Sequence, residues 1–143
     1  MRKLVLGAIL LSLYMLSCNE ISERFSKKEP SIDTVMYSVP TKVLFQDSMI
    51  DLGKVNEGEI KEVVYHYKNI GDKPLLIFNV SPSCGCTIAD FSHKPLMPGA
   101  SDSIIAKFDS GGKDGSYQKN IKVNCNTDEK VHTLAFLVNV IKK

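Results

Sequence analysis

The 143-residue chain has no tryptophan, and aromatic residues are only 8% of it. Without Trp there is no Cys…Trp…Cys arrangement of the kind that marks antibody-type domains. Hydrolase and nucleotide signatures are missing as well: the chain carries no G-x-S-x-G, no H-E-x-x-H and no phosphate-cradling loop. Gly111-Gly112-Lys113-Asp114-Gly115 lacks the spacing and the following helix of a P-loop and reads as a turn. No charge of one sign dominates, with 18 Lys+Arg against 16 Asp+Glu. Two of those basic residues, Arg2 and Lys3, sit at the extreme amino end, so the remainder is formally neutral. A neutral surface with no basic and aromatic interleaving excludes nucleic acid as the expected partner. Beyond residue 17 no helix-length amphipathic stretch occurs, which removes the all-α classes.

The only long apolar run is Leu4 to Leu16, preceded by Arg2-Lys3 and followed by Ser17-Cys18. A basic start, an apolar stretch and a small residue before a cleavage point make an export signal. As a helix the run reaches about 20 Å, short of the roughly 30 Å hydrocarbon core, so a spanning anchor is not expected. Met15-Leu16-Ser17-Cys18 resembles the lipobox of bacterial lipoproteins. That resemblance implies cleavage before Cys18, a diacylglyceryl thioether on its sulfur and an acyl chain such as palmitate on its amine. Several chains together make a stable anchor where one holds only marginally. Asn19 is not the Asp that resembles an inner-membrane retention signal, so the expected location is the outer membrane. The competing reading is an ordinary secretory signal in which Cys18 is incidental.

Residues 18–41 are polar, carry Pro30 and Pro40, and lack sustained periodicity, so they read as a flexible tether. Within them Thr34 to Val39 has the composition of an added edge strand. Residues 42–143 are the size of one domain. They alternate with period two: Val63, Tyr65 and Tyr67 share one face, as do Ile104, Ala106 and Phe108. Ile121 and Val123 continue a third such face, broken only by Lys119, and Leu134, Phe136, Val138 and Val140 make a fourth. Turn signals at Glu57-Gly58, Asn69-Ile70-Gly71-Asp72, Pro98-Gly99, Gly111-Gly112 and Asn126-Thr127-Asp128 separate the runs. The pattern predicts an all-β, immunoglobulin-like antiparallel β-sandwich of about seven strands. Their expected spans are 42–45, 49–52, 60–68, 75–80, 102–108, 117–124 and 132–141.

Four blocks then carry a resemblance. They are Phe45 with Ile50 to Glu59, Tyr67 to Leu75, Ser83-Cys84-Gly85-Cys86-Thr87, and Pro98-Gly99 leading into Ile104 to Ser110. In this order they are similar to the bacterial family called domain of unknown function 1573, over about Phe45 to Val140. The resemblance implies a Hydin-like immunoglobulin fold in exported, often lipid-anchored proteins. It implies no activity, catalytic residue or cofactor. Cys125 lies where such domains usually carry Ser, so a thiol role for it would be peculiar to this chain.

Cys84, Cys86 and Cys125 are the cysteines left after Cys18, enough for one internal disulfide and one spare thiol. Three states fit the spacing: no bridge, a bridge from Cys84 or Cys86 to Cys125, and a Cys84–Cys86 bridge. The second closes a loop of about forty residues and stabilises more; the third closes a very tight ring that Gly85 eases. Two thiols of Cys84-Gly85-Cys86 on one face, with His93 or Met97 nearby in sequence, would suit a soft metal such as Cu(I), or redox chemistry. The spacing is weak for a metal, since structural zinc sites use C-x₂₋₄-C pairs and a second pair. Equally, Pro82, Gly85 and two small thiols suit a tight corner between strands. His66 and His132 fall mid-strand, on solvent faces or satisfied by hydrogen bonds. Asp33-Thr34-Val35, Asp47-Ser48-Met49 and Asp102-Ser103-Ile104 look like acceptors that some Gram-negative bacteria O-glycosylate.

Two functions follow as expectations. One is a non-enzymatic envelope lipoprotein, a binding or structural module held to the membrane by its lipid and docking another envelope protein by its strand edges. The other is a thiol-redox or copper-handling protein built on Cys84, Cys86 and Cys125.

Overall fold

Each period-two run has one apolar side, and two sheets made of such strands bury those sides against each other. The computed structural model describes residues 39–142. The export signal, Cys18 and nearly all of the tether, including Thr34, lie outside the described residues. Among the described residues eight strands occur: β1 (Val43–Phe45), β2 (Met49–Asn56), β3 (Ile60–Asn69), β4 (Ile77–Pro82), β5 (Thr87–Asp90), β6 (Ser101–Asp109), β7 (Gly115–Cys125) and β8 (Val131–Ile141). One sheet has the order β1-β3-β6-β5 and the other β2-β8-β7-β4. This is an immunoglobulin-like β-sandwich.

Two details differ from the expected pattern. The sheets are not wholly antiparallel, because β2 runs parallel to β8, from Met49↔Ala135 to Asn56↔Ile141. Alternation reports which side of a strand is apolar and is blind to the direction of its neighbour, so this pairing left no trace in the pattern. The parallel ladder shifts register between Asp51 and Lys54. There Gly53 has φ 65° and Asp51 Oδ1 accepts the Gly53 N–H at 2.8 Å, a local turn that relieves the irregularity. The second difference is β5, four residues long and too short for alternation to register.

The inward faces meet as the sequence pattern requires. Tyr65, Ile104 and Phe108 from one sheet and Ile121, Leu134 and Phe136 from the other are all fully buried. Phe108 and Phe136 meet edge to face across the sandwich, centroids 5.5 Å apart, a contact worth about 0.5–1.5 kcal/mol beyond its buried area. Lys119, which interrupts the apolar face of β7, stays half-buried by laying its Nζ 5.0 Å above the Tyr117 ring. Tyr65 carries its hydroxyl into the core, where it finds no hydrogen-bond partner among the described residues.

One end of the sandwich is held by buried polar side chains rather than by strands. Asn69, at the end of β3, donates from Nδ2 to the carbonyls of Lys73 (2.7 Å) and Leu96 (2.8 Å). Its Oδ1 accepts the Gly71 N–H at 3.0 Å and the Thr41 hydroxyl at 3.2 Å. Asn126 plays the same part next door: Oδ1 accepts the Leu76 N–H at 2.7 Å and Nδ2 donates to the Pro74 carbonyl at 2.9 Å. Thr41, placed by sequence at the end of the tether, is buried and donates its backbone N–H to the Asn126 carbonyl at 2.9 Å, so it is part of the domain.

Candidate functional site

The segment that joins β4 to β5 leaves one sheet and enters the other, and it contains Cys84-Gly85-Cys86. Pro82 ends β4, lacking the N–H that would continue a ladder. The next residue is tied to the sheet it is leaving: Ser83 N–H donates to the Asn120 carbonyl at 2.8 Å, and Ser83 Oγ accepts the Asn120 N–H at 3.2 Å. Cys86 is already tied to the other sheet, its carbonyl accepting the Asp109 N–H at 2.9 Å. Between them the Thr87 N–H reaches the Cys84 carbonyl at 3.3 Å and closes a turn. The corner expected from Pro82, Gly85 and the small thiols is therefore the observed geometry. A Cβ at Gly85 would meet nothing within 4 Å, so steric room does not demand glycine there.

Cys84 and Cys86 form a disulfide across this corner, with Cα atoms 5.3 Å apart. Both residues are half-buried. Cys86 packs against the hydrophobic core, whereas Cys84 places Sγ 3.7 Å from the Oγ1 of the buried Thr87. Both strands flanking the corner are sheet edges on the same side of the sandwich. On the outer face beside it, Ile88 of β5 is 71% exposed. Ile88 lies diagonal to Ile105 of β6, which pairs directly with the exposed Val64 of β3.

The structure does not bring Cys125 to this corner. Cys125 stands opposite Ile77 on the β4–β7 ladder, while the corner begins beside Asn120. Five residues of strand, about 17 Å, separate the two ends. Cys125 is a free, buried thiol on the inward face that Ile121 and Val123 begin. Extending that alternation by two residues would have placed it inside. The bridge to Cys125 considered from the sequence is thus replaced by the Cys84–Cys86 bridge.

Around Cys125 a small polar cluster had no sequence signal beyond its turn residues. Thr127 Oγ1 donates to the Glu129 carbonyl at 2.6 Å and lies 2.9 Å from His132 Nε2 and 3.3 Å from Cys125 Sγ. Its single proton is spent on Glu129, so both the imidazole N–H and the thiol S–H donate to it. His132 Nδ1 faces the Glu129 carboxylate at 3.8 Å, and its ring packs against Phe45, centroids 5.5 Å apart. Burial pushes the Cys125 thiol above its ordinary range, opposed by the Thr127 contacts. A protonated thiol that must donate is a poor nucleophile.

The other sequence candidates scatter. His66 is exposed on the outer face of β3, and His93 packs at a tilt against Phe91 with centroids 4.4 Å apart. Met97 lies at the end of β6 away from the corner, near Asn69, whose carbonyl accepts the Gly99 N–H at 2.9 Å. Among the described residues no three or more His, Cys, Asp or Glu side chains converge in a way that would hold a metal. Ser48 is exposed in the β1–β2 connection, whereas Ser103 is half-buried within β6.

A structure of a protein of unknown function from Porphyromonas gingivalis W83 is similar, with TM-score 0.62 and 15% identity. The match covers 76% of this chain and 51% of that one, so the chain spans about half its length. An ASH/PapD-like domain of human CEP192 (PapD-like domain 7) matches at TM-score 0.55 and 17% identity, over 73% of this chain and 87% of that domain. The secreted serine protease VesC from Vibrio cholerae matches at TM-score 0.55 and 13% identity, over 70% of this chain but 23% of the protease. At these identities the likenesses show the fold alone. No curated protein sequence matches the chain. The model of the family described as "Protein of unknown function (DUF1573)" matches residues 43–140, nearly the whole sandwich and its Cys-Gly-Cys corner, and the chain belongs to that family.

Proposed function

We propose that this chain is a non-enzymatic envelope lipoprotein, anchored by acyl chains on Cys18 in the outer membrane, which docks a second envelope protein along β5. The observation that carries the reading is the open edge at β5. Among the described residues only β6 pairs with β5, so its other edge is free of strand partners there, and Ile88 stands exposed diagonal to Ile105, on the outer face that Val64 shares. An extended segment of a partner can add to such an edge by main-chain hydrogen bonds, with side-chain specificity supplied by the apolar face. Both flanks of β5 are fixed, by the corner before it and by the β6 ladder beside it, so the edge is preorganised.

A pull-down from detergent-solubilised membranes tests the docking surface. The expected result is a stoichiometric membrane protein captured by the wild-type chain and lost with Ile88→Lys. Capture undiminished by that variant would move docking away from β5, and no partner at all would remove the reading. Metabolic labelling with an alkyne fatty acid tests the anchor: label absent from the protein, or persisting in Cys18→Ala, refutes it.

A further inference from the structure

We infer that the Cys84–Cys86 bridge is a thiol–disulfide exchange site whose substrate is the dithiol of another protein. This goes beyond the docking role and does not depend on it.

Two observations argue that the bridge is not there as a staple. Loop-closure stabilisation grows with the logarithm of the loop, so a bridge spanning one intervening residue is the weakest cross-link these three cysteines can make. The corner is also already pinned without it, by Ser83 to Asn120 on one sheet and Cys86 to Asp109 on the other. Removing the S–S bond leaves every one of those hydrogen bonds in place.

Two further observations equip it for exchange. Both cysteines are half-exposed at a corner, where an incoming thiolate can approach, and exposed bridges are the labile ones. The two sulfurs are also unequal. Cys86 rests against the core, and Cys84 faces the Thr87 hydroxyl. Meanwhile Cys125, the one other cysteine among the described residues, is held protonated and buried about 17 Å away.

The chemistry follows from these positions. A thiolate of the partner attacks Cys84 Sγ, forming a mixed disulfide; the Cys84–Cys86 bond breaks and Cys86 leaves as a thiolate that takes a proton from water. The partner's second thiol, losing its proton to water as the first did, then attacks the partner's own sulfur in the mixed disulfide, and Cys84 leaves as a thiolate that in turn takes a proton from water. The Thr87 hydroxyl, beside Cys84, donates to that departing thiolate and lowers its basicity. Two electrons and two protons pass from the partner dithiol to the corner, and the partner ends as a disulfide.

The test uses the full-length chain in detergent, with dithiothreitol as the dithiol, followed by maleimide labelling and peptide mass mapping. Expected is joint labelling of Cys84 and Cys86 at a rate at least about a hundredfold above global unfolding, with Cys125 unlabelled. Reduction no faster than unfolding, or labelling of Cys125 in step with the pair, overturns the proposal. Single variants then test the order of attack. The lone Cys84 thiol of Cys86→Ser should exchange with oxidised glutathione about tenfold faster than the lone Cys86 thiol of Cys84→Ser. Equal or reversed rates overturn the assignment of Cys84 as the attacked sulfur. Thr87→Val should raise the pKa of the Cys84 thiol in the Cys86→Ser background, read by the absorbance of the thiolate, and an unmoved titration removes the role of Thr87.

Discussion

Asn69 and Leu96 stand 27 residues apart in the chain and are joined by a 2.8 Å hydrogen bond from the Asn69 amide to the Leu96 carbonyl. That bond is one of four on a side chain with no solvent exposure, and all four tie down loops rather than strands. The end of the sandwich is closed by an amide acting as a substitute for missing ladder.

Asn69→Leu keeps the branched shape and removes every one of those bonds; the Gly71 N–H is left without its acceptor, while the Lys73 and Leu96 carbonyls keep the Thr41 hydroxyl at 3.0 Å and the Leu75 N–H at 2.9 Å. The orphaned buried donor costs about 1–3 kcal/mol and three further bonds to the amide go with it, so the expected loss is about 2 kcal/mol or more. Urea unfolding measures it; a loss below about 1 kcal/mol would show that water replaces the amide without penalty.

Gly71 is required for space. A Cβ there would overlap Thr41 Oγ1 and lie 2.6 Å from the Lys42 backbone nitrogen. Gly71→Ala should therefore destabilise by about 1–3 kcal/mol, the usual cost of overpacking. Gly85→Ala, with nothing within 4 Å of the new methyl, should stay within about 0.5 kcal/mol of wild type. Thermal melting of the pair compares them directly, and equal shifts would contradict the close approach.

Tyr65→Phe deletes the unpartnered core hydroxyl while leaving the ring in place. The expected gain is about 1 kcal/mol, the desolvation cost of a lone buried polar group. By contrast Phe108→Ala, which also breaks the contact with Phe136, should lose about 3–5 kcal/mol. A destabilised Tyr65→Phe in urea titrations would mean that the hydroxyl has a partner.

Alkali should weaken the fold before acid chemistry is relevant to these groups. Burial, then Asp102 and Cys125, push the Tyr67 hydroxyl up to about 12 from an ordinary 10.0. Burial also raises Tyr65 from the same ordinary value, and Cys125 from 9.0. Raised acidic pKa values favour the neutral forms when folded, so the unfolded chain loses protons first. Stability is then fully present below about pH 9 and falls as pH rises through the unfolded values, by up to ~1.4 kcal/mol per pH unit for each group. Unfolding free energies from pH 7 to 11 should show this decline, shallower in Tyr65→Phe and Cys125→Ser; a flat profile contradicts the shifts.

Strand faces were the most legible part of the sequence, because burial of one side imposes a period that Val63, Tyr65, Ile104 and Phe136 obey residue by residue. The corner was legible too, since Pro82 and Gly85 flag a bend. What the pattern could not carry is anything settled through space. The parallel partner of β2, the acceptors of the Asn69 amide and the choice among three cysteine pairings all depend on which segments lie adjacent after folding. Asn69 was visible only as a turn residue, although the same short amide that favours turns is what reaches Leu96.

The parallel pairing of β2 sets a rule of timing. Among the described residues β2 has β8 as its only neighbour in its sheet, and β8 ends at Ile141. A growing or translocating chain that has not yet delivered Val131–Ile141 therefore holds an early strand with nowhere to dock, its polar backbone waiting on water. Closure of the sandwich waits for β8, and a chain cut short before Val131 should never seal its second sheet.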